Sequence, residues 1–171
     1  MSNLEKHSNM CIFLDMRSDR NESTLIDVLI YIFHGLSIIA YFILIFTINV
    51  PYHHPMLFYL GPMLLIPGFL LIFLSVITQI RNRDRKLIIH GVYGIVRHPM
   101  YLGAILCFVS FFFFVPHWLL LLISVSNSIL IFLTIIKADH QCLERFGNDY
   151  ASYSKRTPRI NIIAGIFRHF K

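Results

Sequence analysis

The sequence predicts an all-α fold: a polytopic membrane helical bundle of about four transmembrane helices with a cytoplasmic C-terminal helical segment. Three observations predict it. Apolar residues make up 56% of the 171-residue chain and charged residues only 14%, whereas a soluble domain uses about a quarter charged residues to wet its surface. No Asp, Glu, Lys or Arg lies between Asp27 and Arg81 (residues 28–80) or between Arg97 and Lys137 (residues 98–136). Each gap can hold two spans of about 20 residues, and backbone groups in lipid must bond internally, which makes the spans helices. Finally, all fifteen Lys and Arg fall in the N-terminal tail, in 81–97, or from Lys137 onward.

The chain divides into a tail (1–24), two N-terminal transmembrane helices (25–80), and a core with a helical hairpin and a C-terminal segment (81–171). The tail is polar and mixed in charge. It has no apolar core and no small-residue cleavage site, so it is not a cleavable signal peptide. Thr24 followed by Asp27 fits a capping box opening the first span. The spans are predicted at 25–48, 57–80, 99–115 and 118–136. Asn49 to Pro55, with two prolines and His53-His54, suits an interfacial turn. Adjacent histidines rarely aim at one ion, and no metal is assigned to them. The second turn is Pro116-His117-Trp118, with Trp118 where an interfacial aromatic sits. The third span is short, at about 25 Å for a helix of its length. The Phe111–Phe114 run reads as lipid-facing or packing aromatics.

A net charge of +6 could suggest nucleic acid, but its placement argues for a membrane instead. With four spans every basic segment lies on one side, so the positive-inside rule puts both termini and the central loop in the cytoplasm. Cys11, Cys107 and Cys142 have no metal spacing and form no even-numbered framework, so reduced thiols are expected.

Polar residues concentrate in two places. Arg81, Arg83, Arg85 and Lys86 read as an anchor on anionic headgroups. His90, Gly91, Tyr93 and Gly94 follow, and then Arg97-His98-Pro99-Met100-Tyr101. Pro99 suits the first helical position, where its missing N–H costs nothing. The free amides after it, with Arg97, offer a site for a carboxylate or phosphate. His98 adds a titratable ring and Tyr101 a phenol one turn in. The second concentration runs from Lys137 to Gly147. There Asp139, Leu143, Phe146, Tyr150 and Tyr153 share one helical face, provided Gly147 does not end the helix. A carboxylate on that face needs a cation, either Arg97 or a ligand ammonium or sulfonium. The end of the chain, Lys155 to Lys171, mixes Ile and Phe with basic residues and reads as an interfacial anchor.

Together the two concentrations resemble the isoprenylcysteine carboxyl methyltransferase family and its phospholipid methyltransferase relatives. The matching residues are Gly91 and Tyr93, Arg97-His98-Pro99 with Tyr101 and Gly103, then Phe146-Gly147, Tyr150, Tyr153, Pro158 and Arg159. The resemblance covers about 90–160. It implies an enzyme that binds S-adenosylmethionine at the cytoplasmic side and methylates a lipophilic or lipidated acceptor arriving from the bilayer. Membrane lipids are its partners and nucleic acid is not. By the resemblance, Arg97 and Tyr101 are catalytic, and His90, Tyr93, Arg97, His98, Tyr101, Gly103 and Asp139 surround the cofactor. Within that set Arg97 and His98 would hold the cofactor carboxylate, and Asp139 would meet its ammonium. The family's Glu-Glu pair falls on Ala138-Asp139 here, which removes one carboxylate and shortens the other. A second resemblance, through Arg97-His98-Pro99-x-Tyr101 and Asp139-x-x-Cys142, is to membrane sterol reductases and implies NADPH. A non-catalytic membrane module of the same fold is the third reading.

Overall fold

The computed structural model describes residues 22–47, 55–82 and 87–169. Six helices form among them: α1 (Glu22–Thr47), α2 (Pro55–Arg81), α3 (Val92–Ile95), α4 (Pro99–Phe114), α5 (Trp118–Arg156) and α6 (Ile162–His169). Helices α1, α2 and α5 are long and apolar enough to cross a membrane, and α4 is a shorter apolar helix. The expected spans are therefore present, the short third one included. At 16 residues α4 measures about 24 Å, against a hydrocarbon core of about 30 Å. The chain is an integral membrane protein by these helices. His53-His54, Cys11, and Arg83, Arg85 and Lys86 of the basic cluster lie outside the described residues, as does the tail before residue 22.

Neighbouring helices run antiparallel in the order α2, α4, α5, α1. Gly61 of α2 lies against Phe114, and Gly68 against Gly103 and Cys107. At the other end of the same pair, Gln79 Nε2 reaches Met100 Sδ at 4.0 Å. The α2–α4 crossing is close because Gly68 and Gly103 face each other. A Cβ added at Gly103 would sit 2.6 Å from the Gly68 carbonyl oxygen. Small residues permit such approach in membranes, where helices associate by packing and hydrogen bonds. Tyr41, Phe108, Val115, Leu120, Ile131 and Ile135 form the buried core between α1, α4 and α5. Of the Phe111–Phe114 run, Phe111 stacks on Tyr41 with ring centroids 4.9 Å apart.

The first helix docks through a polar stripe. Asp27, His34, Ser37 and Tyr41 recur at 7, 3 and 4 residues, which is one helical face. Lys137 Nζ donates to both Asp27 carboxylate oxygens at 2.7 Å. His34 Nδ1 lies 2.5 Å from Asn127 Oδ1, and Asn127 Nδ2 donates to Ser37 Oγ at 3.0 Å and to the Ile123 carbonyl at 2.8 Å. Tyr41 Oη and Ser124 Oγ are 2.7 Å apart. This corrects the capping-box reading. The helix already begins at Glu22, so Thr24 lies inside it, and the partner of Asp27 is Lys137. Asn127 is fully buried at the level of the apolar spans, where an unpaired amide is costly. Asn127→Leu is expected to destabilise the protein by about 1–2 kcal/mol, read by unfolding in detergent micelles. A double-mutant cycle with Ser37→Ala should return a coupling energy, and additive effects would refute the contact.

All four spans bring their charged ends to one end of the bundle: Asp27 of α1, Arg81 of α2, Arg97 before α4 and Lys137 of α5. Trp118, at the opposite end, is 63% exposed, as an interfacial aromatic should be.

Candidate functional site

The site is assembled from two chain segments, the approach to α4 and the end of α5. Gly91 opens α3 at φ 62°, a conformation in which a side chain is strained. The short α3 buries Tyr93, and Val96 then turns to extended backbone. There the chain pairs with the segment that leaves α5. The Arg97 N–H donates to the Pro158 carbonyl at 3.0 Å and the His98 N–H to the Arg159 carbonyl at 3.2 Å. Pro99 is the first helical residue of α4, as expected, and His98 occupies the cap position. The His98 side chain does not cap the helix; its ring turns to α5 instead.

Asp139 is the centre. Its Oδ1 accepts from Arg97 Nη1 at 3.1 Å, from His98 Nε2 at 2.7 Å and from the Tyr150 hydroxyl. Its Oδ2 accepts from Arg159 Nε at 2.6 Å. An ionised carboxylate only accepts, so His98 carries its hydrogen on Nε2. Asp139 lies beyond 118–136, the apolar part of α5, yet its side chain is only 11% exposed. Burial alone would raise its carboxyl. Hydrogen bonds from His98 and Tyr150, with the Arg97 charge, outweigh that and hold it well below the usual carboxylate range. Burial first, and then the bond and charge of Asp139, push the Tyr150 phenol up, which keeps it a donor.

The tyrosines reach this cluster because α5 is broken. Eleven residues of straight helix would separate Asp139 from Tyr150 by about 16 Å along the axis, too far for the two side chains to meet. Gly147 adopts φ 52°, ψ −122° inside α5, and the chain beyond it returns toward Asp139. The single stripe from Asp139 to Tyr153 is thus corrected: Leu143 is exposed while Tyr150 is buried. Tyr153 Oη donates to the Tyr93 carbonyl at 2.6 Å, and Gln79 Nε2 donates to the Tyr93 hydroxyl at 2.7 Å.

Of the residues expected around a ligand, Arg97, His98 and Asp139 meet directly. Tyr101 joins them through its ring, 5.8 Å from that of His98. Tyr93 stands one step away, linked through Tyr153. His90 is exposed and pairs with Asn82 at 2.9 Å, apart from the cluster. Gly103 lies buried at the α2–α4 crossing. Asp139, offered as the receiver of a ligand ammonium, already accepts four hydrogen bonds within the protein, and the ion pair with Arg97 is present. Sequence reasoning left Tyr150, Arg159 and Gln79 out of the site. Tyr150 and Arg159 belonged to the family-like pattern, and their Tyr and Pro-Arg spacing was the available signal. Gln79 had none, being a lone amide at the end of an apolar span.

Two guanidiniums, Arg97 and Arg159, therefore face one carboxylate, which leaves an excess positive charge. Arg97 Nε is buried with no hydrogen-bond partner among the described residues. A buried donor left unmade is costly unless a ligand completes it. The arrangement can receive an anionic group at Arg97, beside the faces of several tyrosines.

A family model, phospholipid methyltransferase, matches residues 58–148. That span takes in Tyr93, Arg97, His98, Tyr101 and Asp139 and leaves out α1, Tyr150 and Arg159. No curated protein and no solved structure matches the chain.

Proposed function

The chain belongs to the phospholipid methyltransferase family, and from that premise we propose that it uses S-adenosylmethionine to methylate a lipophilic acceptor at the cytoplasmic face of its membrane. The family and the apolar helices together make it a membrane methyltransferase of lipids. The cofactor, the carboxyl or amine nature of the acceptor, and the cytoplasmic side are our reading. The sidedness rests on the positions of the Lys and Arg along the sequence and on Arg81, Arg97 and Lys137, which lie at the end of the bundle that carries Asp139.

The observation that carries the cofactor reading is the unpartnered Nε of Arg97. S-adenosylmethionine, when bound, supplies a methyl group activated on a sulfonium, together with a carboxylate, an ammonium and an adenine. Its anionic end fits Arg97 and the excess positive charge of the cluster. Its cationic part finds no carboxylate to spare there, because Asp139 is engaged and Ala138 stands where the family has Glu. The rings of Tyr93 and Tyr101 are the groups at hand for a cation. His98, Tyr150 and Asp139 hold the Arg97 guanidinium in place rather than move protons. Methyl transfer to a carboxylate asks mainly for in-line positioning and a dry site and needs no acid–base dyad, because the acceptor oxygen is already deprotonated; an amine acceptor reacts as the free base, after giving its proton to water. An isoprenylcysteine-like carboxylate and a phospholipid-like amine are both suitable acceptors.

Arg97→Ala is expected to weaken S-adenosylmethionine binding about tenfold or more, measured by calorimetric titration of the purified protein. A wild-type protein that binds NADPH and not S-adenosylmethionine would replace this reading with the reductase. One that binds neither would leave a non-catalytic module. Transfer of labelled methyl into host lipid extract tests the activity and isolates the acceptor.

A further inference from the structure

A groove of about 540 Å³ opens between α4 and α5, walled by Ile105, Val109 and Phe112 on one side and by Leu121, Ser128 and Leu133 on the other. That volume lies within the range of small-molecule sites, about 300–1,000 Å³. Its walls offer hydrocarbon only. The Ser124 hydroxyl donates to the Phe108 carbonyl at 2.9 Å and the Ser128 hydroxyl to the Ser124 carbonyl at 2.8 Å, so neither has a hydrogen left to donate to a ligand. A polar headgroup placed here would lose its hydrogen bonds without compensation, and an alkyl or prenyl chain would lose none. From Leu121 to Leu133 the groove runs about 18 Å along α5, within the hydrocarbon layer, and it is one helix-pair gap wide.

The upper end of the groove meets the candidate site. Tyr101, Ile105, Val109 and Phe112 recur at 4, 4 and 3 residues and so share one face of α4. Following that face upward leads from the groove to Tyr101 and on to the His98 ring, 5.8 Å away. A chain lying in the groove brings its polar end to Tyr101, beside the Asp139 cluster. Helix α1 packs on the α4–α5 hairpin through Tyr41 and Ser37, bonded to Ser124 and Asn127, and contributes no residue to the groove, which leaves the groove open to the bilayer.

We propose that the α4–α5 groove binds one hydrocarbon chain of the methyl acceptor, with the acceptor's polar end held at Tyr101. This deepens the methyl-transfer reading and rests on it. The acceptor is accordingly a lipid recognised by a single chain.

The test uses the full-length protein in phosphatidylcholine nanodiscs. The probe is 1-palmitoyl lysophosphatidylethanolamine with a diazirine in its chain, and adducts are mapped by mass spectrometry. Adducts at Ile105, Val109 and Ile129 are expected to exceed those at the outward-facing Ile39 of α1 by about fivefold or more. Ser128→Phe, which fills the groove, should lower them by a similar factor, while Ile39→Phe leaves them unchanged. Val109→Trp serves if Ser128→Phe fails to fold. In the labelled-methyl assay Ser128→Phe should cut incorporation about tenfold with S-adenosylmethionine affinity kept within about twofold. Adducts spread evenly over all outward faces would overturn the groove while leaving methyl transfer standing, and so would unchanged incorporation in the folded variant. Groove adducts in a wild-type protein that transfers no methyl would overturn the acceptor assignment along with the methyl-transfer reading.

Discussion

Asp139→Ala is expected to abolish measurable S-adenosylmethionine binding and to lower stability by about 3–5 kcal/mol, the usual cost of removing one partner from a buried ion pair. The size follows from what is left behind. The Arg97 side chain is 12% exposed and that of His98 8%, so neither can turn to water when the carboxylate is gone. Arg159 is 39% exposed and should contribute less. Tyr150 would lose its acceptor, releasing the end of α5 that returns after Gly147. Asp139→Asn is the sharper variant. It keeps the shape, but it puts an amide donor against a guanidinium and removes the charge that holds Arg97 in place. A double variant, Asp139→Leu with Arg97→Met, should recover part of the lost stability, because replacing both partners leaves no uncompensated charge on Arg97. It should recover no cofactor binding. Thermal unfolding in detergent and a cofactor titration on the same preparations check both halves. Full binding in Asp139→Ala would remove the cluster from the site.

Gly103→Val is expected to destabilise the fold by about 3 kcal/mol or more. A Cβ at this position would lie 2.6 Å from the Gly68 carbonyl oxygen, 2.8 Å from Ile72 Cγ1 and 3.2 Å from the Ile72 backbone nitrogen. Two of these three atoms are backbone and cannot rotate away, so α2 and α4 must separate. Overpacking a core costs about 1–3 kcal/mol and occasionally more, and a clash with a helix backbone belongs at the upper end. The separation would also move Met100 and Tyr93 away from Gln79, so surviving protein should show weakened cofactor binding. Gly103→Ala should give the same effect at smaller size. Gly35 is the control. A Cβ there meets nothing within 4 Å, and Gly35→Ala should be neutral or stabilise by about 0.5–1 kcal/mol, since Ala favours the helix. Yield after detergent extraction and melting temperature separate the three variants. A Gly103→Val protein that melts like wild type would refute the crossing as described.

The resemblance placed Gly103 near the cofactor, and packing gives that glycine a different position. The reason is general to this chain. A Gly-x-Tyr or Arg-His-Pro pattern specifies residue types along a line, but which of them face a neighbour depends on where the second helix crosses. Gly68, thirty-five residues earlier in an apolar run, carries no mark of being the partner. The same holds for His34, Ser37 and Tyr41. Their spacing on one face was readable, but their partners Ser124 and Asn127 lie some ninety residues on, on a helix whose rotation was not readable.

What the sequence determined by itself is the set of spans, their order and the end of the bundle where charge collects. These follow from the cost of charge and of unbonded backbone in hydrocarbon, which acts residue by residue and needs no knowledge of neighbours. It also determined which segments form the polar cluster, because polar side chains at a membrane boundary stand out against apolar surroundings. Only the tertiary structure decided how Asp139 is used. The positive φ of Gly147 folds Tyr150 and Arg159 back onto a carboxylate that Arg97 and His98 approach from the other segment, so that it accepts four hydrogen bonds within the protein. A dihedral at one glycine and a two-bond backbone pairing at 97–98 with 158–159 are long-range facts. They set the charge balance of the site, and they leave Arg97 Nε, rather than Asp139, as the group with a bond still to make.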